Sequence, residues 1–539
     1  MSVRSLSPVR AVNTPIGAGK TMSESARPGR IDFAIAQVLA VAVFVICVLN
    51  LANGHDWGDD FALYISQAKG IVELDTGAVV EANRYALEHS SMKGFSPVVY
   101  PWGFPLVLAP FYAAWGIDFH VFQVLESALF AVFVGLFALL VMPRVGRIAG
   151  GLMALIVGSS VVYVGWAQSV TSDFPFMTFL ALTLVLCDYA RRSGMVTRAR
   201  NGVLIALGLS AALASSMRRE GVLLFVVIAS LQAAEVWSER RRGRHLRPSA
   251  LPWRRVLLPH MAGLALLALL LAIFPGPPGT LYGNSGLHQL GENVTWFSDV
   301  LARMVGLMES GSQGPQLWGY ESLGSILLWV FAIAAVAGLI YRMLTEWRQD
   351  LGLATYLVLA SLVIGMLPFH EGRYLFTITP FLVYFAFHGI VAAVVLVTFP
   401  LGDRWVGILS FVVAAVFLAV LAGSNVEQLW DRTEGRLDDS GQVMWGPVHP
   451  AALELFATVK SVVPEDEVVG FFRGRAMTLL GERQGLYLTK LDDILAEADW
   501  YAMEKNSDYS QYPLTDEEAG AHGIQRVWEN ENFILWKVP

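Results

Sequence analysis

The sequence predicts an α-helical polytopic membrane protein of about eleven transmembrane helices, followed by a small extracytoplasmic α/β domain. Three observations predict it. Of 539 residues, 55% are hydrophobic and only 15% charged, a composition typical of chains that live in a bilayer. Apolar stretches of the roughly 20 residues needed to cross a hydrocarbon core recur between residues 31 and 423. Beyond residue 424 the composition becomes that of a soluble domain. The net charge of −7 is a sum over unlike segments: basic residues cluster in short loops and acids collect near the C-terminus. The balance therefore reports topology and gives no hint of nucleic-acid binding, and no nucleic-acid partner is expected. Cys47 and Cys187 fall inside apolar runs and show neither a disulfide framework nor metal-type spacing.

Positive loops mark the cytoplasmic side, so they order the crossings. Residues 1–30 are polar and basic, and read as a cytoplasmic tail before an uncleaved anchor at 31–52. Residues 53–118 form an outer loop, in which "PWGFPLVLAPFYAAWG" is too short and too proline-rich to span and reads as an interfacial helix. Spans follow at 121–142, 148–166 and 174–190, separated by the basic segments "PRVGR" and "ARRSGMVTRAR". The stretch 203–236 has basic flanks on both sides, which requires an even number of crossings. Two short helices meeting at an outer tip, Arg218, Arg219 and Glu220, satisfy this. A span at 256–274 leads to an outer loop, 275–322. Spans at 324–343, 352–368, 375–398 and 405–423 then complete a bundle over 31–423 and leave the C-terminus outside.

In the domain expected over 424–539, "HPAALELFATVKSVV" has helical periodicity with Pro450 in its first turn. "EVVGFF", "GLYLT" and "RVWENENFILWKV" read as strands, the last folded at Asn530–Asn532. No glycine-rich nucleotide fingerprint occurs there.

Four groups of polar residues are expected at the outer ends of the bundle. In "HDWGDDFALYISQAKG", Asp56 suits a helix N-cap, and Asp59 and Asp60 would then occupy the first turn, where a helix dipole favours carboxylates. One acid satisfies a cap and three are present. Asp60, Tyr64 and Gln67 share a helical face. Asp173 in "SVTSDFPF" opens a span, a place that Pro175 and helix-start chemistry also explain. Arg218 and Arg219 at a helix tip are costly in lipid unless matched, either by Glu220 or by an anion such as phosphate. In "PFHEGRYLFTITPF", Arg373 and Tyr374 suit an interface by snorkelling, which does not account for His370 and Glu371 beside them.

The ordered segments "GDDFALYISQAKGI", "YPWGFPLVLAPFYAAWG", "TSDFPF", "RREGVLL" and "GRYLFTITPF" resemble the polytopic glycosyltransferases of the GT-C fold, and among them the protein O-mannosyltransferase and aminoarabinose transferase-like proteins. The resemblance runs in order from about residue 31 to 400. It implies a transferase that moves a sugar from a polyprenyl phosphate donor to a lipid, glycan or protein acceptor at the outer face of a bacterial inner membrane. It also implies that Asp59, with Asp60 where many relatives have Glu, is the acid-base or metal-contacting group. Trp102 stands where the family more often has proline. On this reading Asp59 or Asp60 activates the acceptor. Arg218, Arg219, Arg373 and Tyr374 hold the donor phosphate, with Asp173, His370 and Glu371 as further candidates. A divalent ion at Asp59, with His55, His89, His370 or Glu371 as further ligands, would serve the same end, and no ligand spacing compels it.

The rival from another class is a transporter or lipid flippase, which would place its charges at the bilayer midplane and show internal repeats. No repeat is visible here. A second rival is an O-antigen-ligase-like transferase, dependent on Arg and His without an essential acid. A third is a non-catalytic scaffold whose outer domain binds a partner.

Overall fold

The computed structural model describes residues 28–93, 96–241, 252–275, 286, 289–309, 314–368, 370–398, 403–439 and 441–539. The described part is mainly helical. In chain order its first helices are α1 (Arg30–Leu49), α2 (Asp60–Val72), α3 (Thr76–His89), α4 (Gly103–Trp115), α5 (Phe119–Val145), α6 (Arg147–Gly158), α7 (Val161–Trp166) and α8 (Asp173–Ser193). Then come α9 (Asn201–Met217), α10 (Leu223–Arg241), α11 (Trp253–Ile273), α12 (Leu290–Met304), α13 (Glu321–Thr345), α14 (Trp347–Gly365), α15 (Thr379–Thr398) and α16 (Asp403–Asp438). Among the described residues, eight helical segments are long and apolar enough to cross a membrane.

Several expected spans have a different form. The stretch read as one span over 148–166 is two helices, α6 and α7, broken at Ser159 and Ser160. The hydroxyl of Ser159 donates back to the Leu155 carbonyl at 2.7 Å, satisfying an acceptor at the α6 terminus. Residues 201–241 form the expected pair of helices, joined through Arg218 and a 3₁₀ turn, Arg219–Val222. The last bundle helix does not end near 423. α16 continues to Asp438 because the polar residues after 424 pack along it: Asn425 donates to the carbonyls of Ile156 and Met304, and Thr433 Oγ1 accepts from Asn50 at 2.8 Å. The boundary expected at 424 falls inside this helix.

Small residues let the bundle close. A Cβ on Gly338 of α13 would lie 1.8 Å from the Phe385 carbonyl oxygen, and one on Gly389 of α15 would lie 1.9 Å from that of Ala334. Only glycine lets these backbones touch, and such packing is the main source of helix association where no hydrophobic drive exists. Away from the C-terminal unit, Arg144 bridges Asp188 and Asp350, Arg342 donates to Asp350 at 2.5 Å, and Tyr384 donates to it at 2.9 Å. Arg144 and Arg342, readable in sequence only as topology markers, thus neutralise acids between helices.

The C-terminal unit starts with α17 (Pro450–Val462), where Pro450 occupies the first turn as expected. It continues through β1 (Val469–Gly470), the single turn α18 (Gly474–Ala476), β2 (Gly485–Leu486), α19 (Leu491–Glu497), β3 (Trp500–Glu504), α20 (Asp516–Ala521), β4 (Gln525–Glu529) and β5 (Phe533–Lys537). The sheet order is β2-β1-β3-β5-β4; β1 runs parallel to β2 and β3, and β5 is antiparallel to β3 and β4. Four of the five strands, β1, β2, β4 and β5, fall in the three stretches legible as strands in sequence, but the central strand β3 is not legible. All five of its residues are buried, so it lacks the alternation that betrays a half-buried strand.

This unit is clamped onto the first loop of the bundle. Asn53 pairs with Val443 in a parallel bridge, and the Met444 amide donates to the Asn53 carbonyl at 2.7 Å. A Cβ on Gly446 would stand 1.7 Å from the His55 carbonyl oxygen. Trp57, 1% exposed, is caged by the rings of Trp445, Phe456, Phe471, Phe472 and Phe533 at centroid distances of 5.1–6.4 Å. Burial of an indole of this size is a large apolar contribution to docking.

Candidate functional site

Docking of Trp57 sets the start of α2. The helix begins at Asp60, with Asp59 at the N-cap position in helical φ/ψ and making no side-chain capping bond. The expectation that Asp56 caps this helix is therefore corrected. Its carboxylate is engaged by His55 at 3.0 Å and by the Gly58 amide, and Trp57, between it and the helix, is buried.

Asp60, Tyr64 and Gln67 do share a face, and that face meets Tyr100. The side chain of Gln67 both donates to the Tyr100 carbonyl at 3.0 Å and accepts from its amide at 3.2 Å. The two tyrosine rings stack at 4.6 Å, and the Tyr100 hydroxyl donates to Asp60 Oδ1. Tyr64 in turn shares a hydrogen bond of 2.9 Å with Ser172, the residue before α8.

Four carboxylates and three guanidinium groups meet here. Arg373 donates to Asp60 Oδ2 at 2.6 Å and lies 3.8 Å from Asp173. Arg218 donates to Asp173 Oδ1 at 2.5 Å and is 3.6 Å from Glu220. Arg475, from α18 of the C-terminal unit, lies 3.3 Å from Asp59 Oδ2. Two aromatic rings complete the wall: Arg218 sits over Tyr374 at 5.7 Å and Arg373 over Trp166 at 5.5 Å. Helix ends bring these groups together, since Asp173 opens α8, Arg218 closes α9, and Arg373 lies in a 3₁₀ turn, Gly372–Thr377, before α15.

The two adjacent acids differ in state. Burial pushes the Asp59 carboxyl above the usual carboxylate range; Arg475 and Arg473 pull it back only in part, and Asp60 adds to the rise. For Asp60, burial acts upward too, but the Arg373 charge and the Tyr100 hydrogen bond outweigh it and hold the group below the usual range. Asp59 Oδ1 is a buried oxygen that accepts no hydrogen bond among the described residues. The side chains of Asp59 and Asp60 retain 22% and 26% exposure, although Asp59 Oδ1 itself is buried.

Other candidates lie around or away from this cluster. Arg219 opens the turn beside Arg218. Glu371 is 4.0 Å from Arg373 Nε, and His370 packs at 5.4 Å from Trp296. His55 is 2% exposed; its Nε2 accepts from the Val170 amide at 3.1 Å while Nδ1 faces the Asp56 backbone. His89 pairs with Glu497 of the C-terminal unit at 2.6 Å. Among the described residues no three His, Cys, Asp or Glu side chains converge as metal ligands, so His55, His89, His370 and Glu371 do not assemble around Asp59. The carboxylates that could hold a divalent ion are matched by guanidinium groups, and the residues present do not fit such an ion.

Sequence reasoning missed Arg475, Tyr100 and Asn83. Arg475 Nε donates to Asn83 Oδ1 at 2.9 Å, and its guanidinium lies over the Tyr100 ring at 5.7 Å. The only local signal is "FRGRAM", two arginines around a glycine in a segment otherwise read as a soluble domain.

No protein-family model and no curated protein matches the chain. Solved structures do. The chain is similar to ArnT from Cupriavidus metallidurans bound to undecaprenyl phosphate, at 12% identity and a TM-score of 0.48, over 93% of this chain and 97% of that one. It is similar to the oligosaccharyltransferase AglB from Archaeoglobus fulgidus at 11% identity and a TM-score of 0.49, over 87% and 69% of the two chains. It is also similar to the arabinosyltransferase EmbB from Mycobacterium smegmatis at 14% identity and a TM-score of 0.42, over 78% and 42%. All three are GT-C fold membrane glycosyltransferases, the class that the ordered motifs resemble.

Proposed function

We propose that this protein is a membrane glycosyltransferase that moves a sugar from a polyprenyl phosphate carrier to an acceptor hydroxyl or amine at the outer membrane surface. The observation that carries the reading is the unequal pair Asp59 and Asp60. One carboxylate has an uncommitted buried oxygen and a raised proton affinity, and its neighbour is locked by Arg373 and Tyr100. A general base needs the first condition, and a charged wall that binds phosphate needs the second.

In this mechanism Asp59 accepts the proton of the acceptor as its oxygen or nitrogen attacks the anomeric carbon. The bond from that carbon to the phosphate oxygen breaks, and the carrier phosphate leaves with the bonding pair. Arg373 and Arg218 stabilise its charge, and the proton later passes from Asp59 to solvent. Both arginines already sit beside carboxylates, so the phosphate enters by sharing their remaining donors; Arg373 Nε has no hydrogen bond among the described residues. The gathering of the charges at one end of the bundle, in the turns that open α2, α8 and α15, favours this reading over a transporter, whose ionisable groups belong at the bilayer midplane.

The test is transfer of label from a polyprenyl phosphate sugar by the purified full chain, comparing wild type with Asp59→Asn. Turnover is expected in the wild type and its loss in the variant, with thermal unfolding unchanged. Wild-type turnover in Asp59→Asn overturns the base, and a folded protein that uses no donor from a panel of such sugars overturns the transferase.

A further inference from the structure

We infer that Arg475 is the resident cation of this site: the C-terminal unit inserts a guanidinium beside Asp59 in the place where a divalent ion would otherwise sit. The inference deepens the transferase reading and rests on it only for its activity arm.

The position of Arg475 is built rather than incidental. Its side chain is 6% exposed, lies 3.3 Å from Asp59, is tied through Nε to Asn83 of α3 at 2.9 Å, and covers the ring of Tyr100. Its backbone is fixed by a close glycine contact, because a Cβ on Gly485 would stand 2.0 Å from the Gly474 carbonyl oxygen. Arg473, two residues earlier, donates from Nε to the Trp57 carbonyl and lies over the Tyr509 ring at 4.6 Å. The segment Arg473-Gly474-Arg475 therefore grips Trp57-Gly58-Asp59 from the opposite side to the bundle.

A dication binds where several oxygen ligands carry uncompensated negative charge. Here Asp59 faces Arg475, Asp60 faces Arg373, and Asp173 faces Arg218, so each carboxylate already has a cation. A metal ion at Asp59 would have to displace a buried guanidinium held by Asn83. Arg475 performs the electrostatic part of the ion's work by opposing the rise that burial imposes on the Asp59 carboxyl, without supplying a coordinated water. Its delivery by the C-terminal unit means that the site is complete only when that unit is docked. Arg475 is on these grounds a positioning residue acting through Asp59.

Two arms test this on the purified full chain. In the first, Mn²⁺ is titrated and free ion is followed by electron paramagnetic resonance. Wild type and Asp59→Asn are expected to give the same curve; a stoichiometric site present in the wild type and lost in Asp59→Asn overturns the inference whether or not transfer is observed. In the second, transfer is expected to survive EDTA, to fall at least 100-fold in Arg475→Ala, and to be restored in part by millimolar guanidinium ion but not by Mn²⁺. Arg475→Lys, which keeps the charge, is expected to retain more turnover than Arg475→Ala and serves if the alanine variant does not fold. Loss of wild-type transfer in EDTA with recovery on adding Mn²⁺, or full activity in Arg475→Ala, overturns it. A wild type that transfers nothing speaks against the transferase reading and leaves the Mn²⁺ arm to decide on Arg475.

Discussion

Arg373 Nη2 donates to Asp60 Oδ2 at 2.6 Å and so ties the turn before α15 to the first residue of α2. This ion pair spends Asp60 on holding a cation, and it leaves Asp59 as the carboxylate with an uncommitted buried oxygen. The consequences can be measured residue by residue.

Asp59→Asn is expected to lower kcat by about 10²–10⁴-fold, the usual contribution of a general base. Asp60→Asn should act mainly on the donor, raising KM, because its partner Arg373 loses its anchor. The split between kcat and KM in steady-state kinetics separates the two roles, and equal loss of kcat in both variants contradicts it.

The pH profile should move in opposite directions for two neighbours. Asp59 must be ionised to accept a proton, and its folded pKa is raised by burial; activity is therefore full above that pKa and is lost as pH falls through it, earlier than for an ordinary carboxylate. The groups that face it are Arg475 and Arg473, which lower it, and Asp60, which raises it. Removing the Arg475 charge by Arg475→Met should shift the acidic limb of kcat to higher pH. Asp60→Asn should shift it to lower pH.

Breaking the Arg218–Asp173 pair leaves a carboxylate that is 1% exposed without its main partner. Arg218→Ala should cost about 3–5 kcal/mol, the usual penalty for one half of a buried pair. In thermal unfolding in detergent, the Asp173→Asn/Arg218→Ala double variant should be less destabilised than the sum of the single variants. Additive losses would show that the pair is not coupled.

Gly446→Ala places a methyl group where the His55 carbonyl now lies. A cost of about 1–3 kcal/mol is expected from this overpacking. It should appear as faster proteolytic release of the C-terminal unit, and an unchanged proteolysis rate would mean that the contact yields.

The topology inferred from charge is open to labelling, since Cys47 and Cys187 are both buried. Leu74→Cys, at a site 92% exposed, should react with an impermeant maleimide in intact cells. Arg200→Cys should react only after permeabilisation, and the reverse pattern would invert the bundle.

The sequence by itself determined the helical bundle, its order of apolar segments, and the loops in which acids and arginines would be found. Hydrophobicity and loop charge are properties of contiguous residues, and the membrane acts on contiguous residues. They also marked Asp60, Tyr64 and Gln67 as one face, because helical spacing is local. Local pattern failed where burial is two-sided or long-range. β3 shows no alternation, α16 runs on past the point where its composition turns polar, and Asp56 yields the helix start to Asp59 because Trp57 must reach its aromatic cage. Only the tertiary structure decided which adjacent carboxylate keeps a free oxygen and which arginine stands beside it. Desolvation and ion pairing depend on what the rest of the chain brings within a few ångströms, and Arg475 meets Asp59 only after the whole bundle has been traversed and the C-terminal unit has folded back upon its first loop.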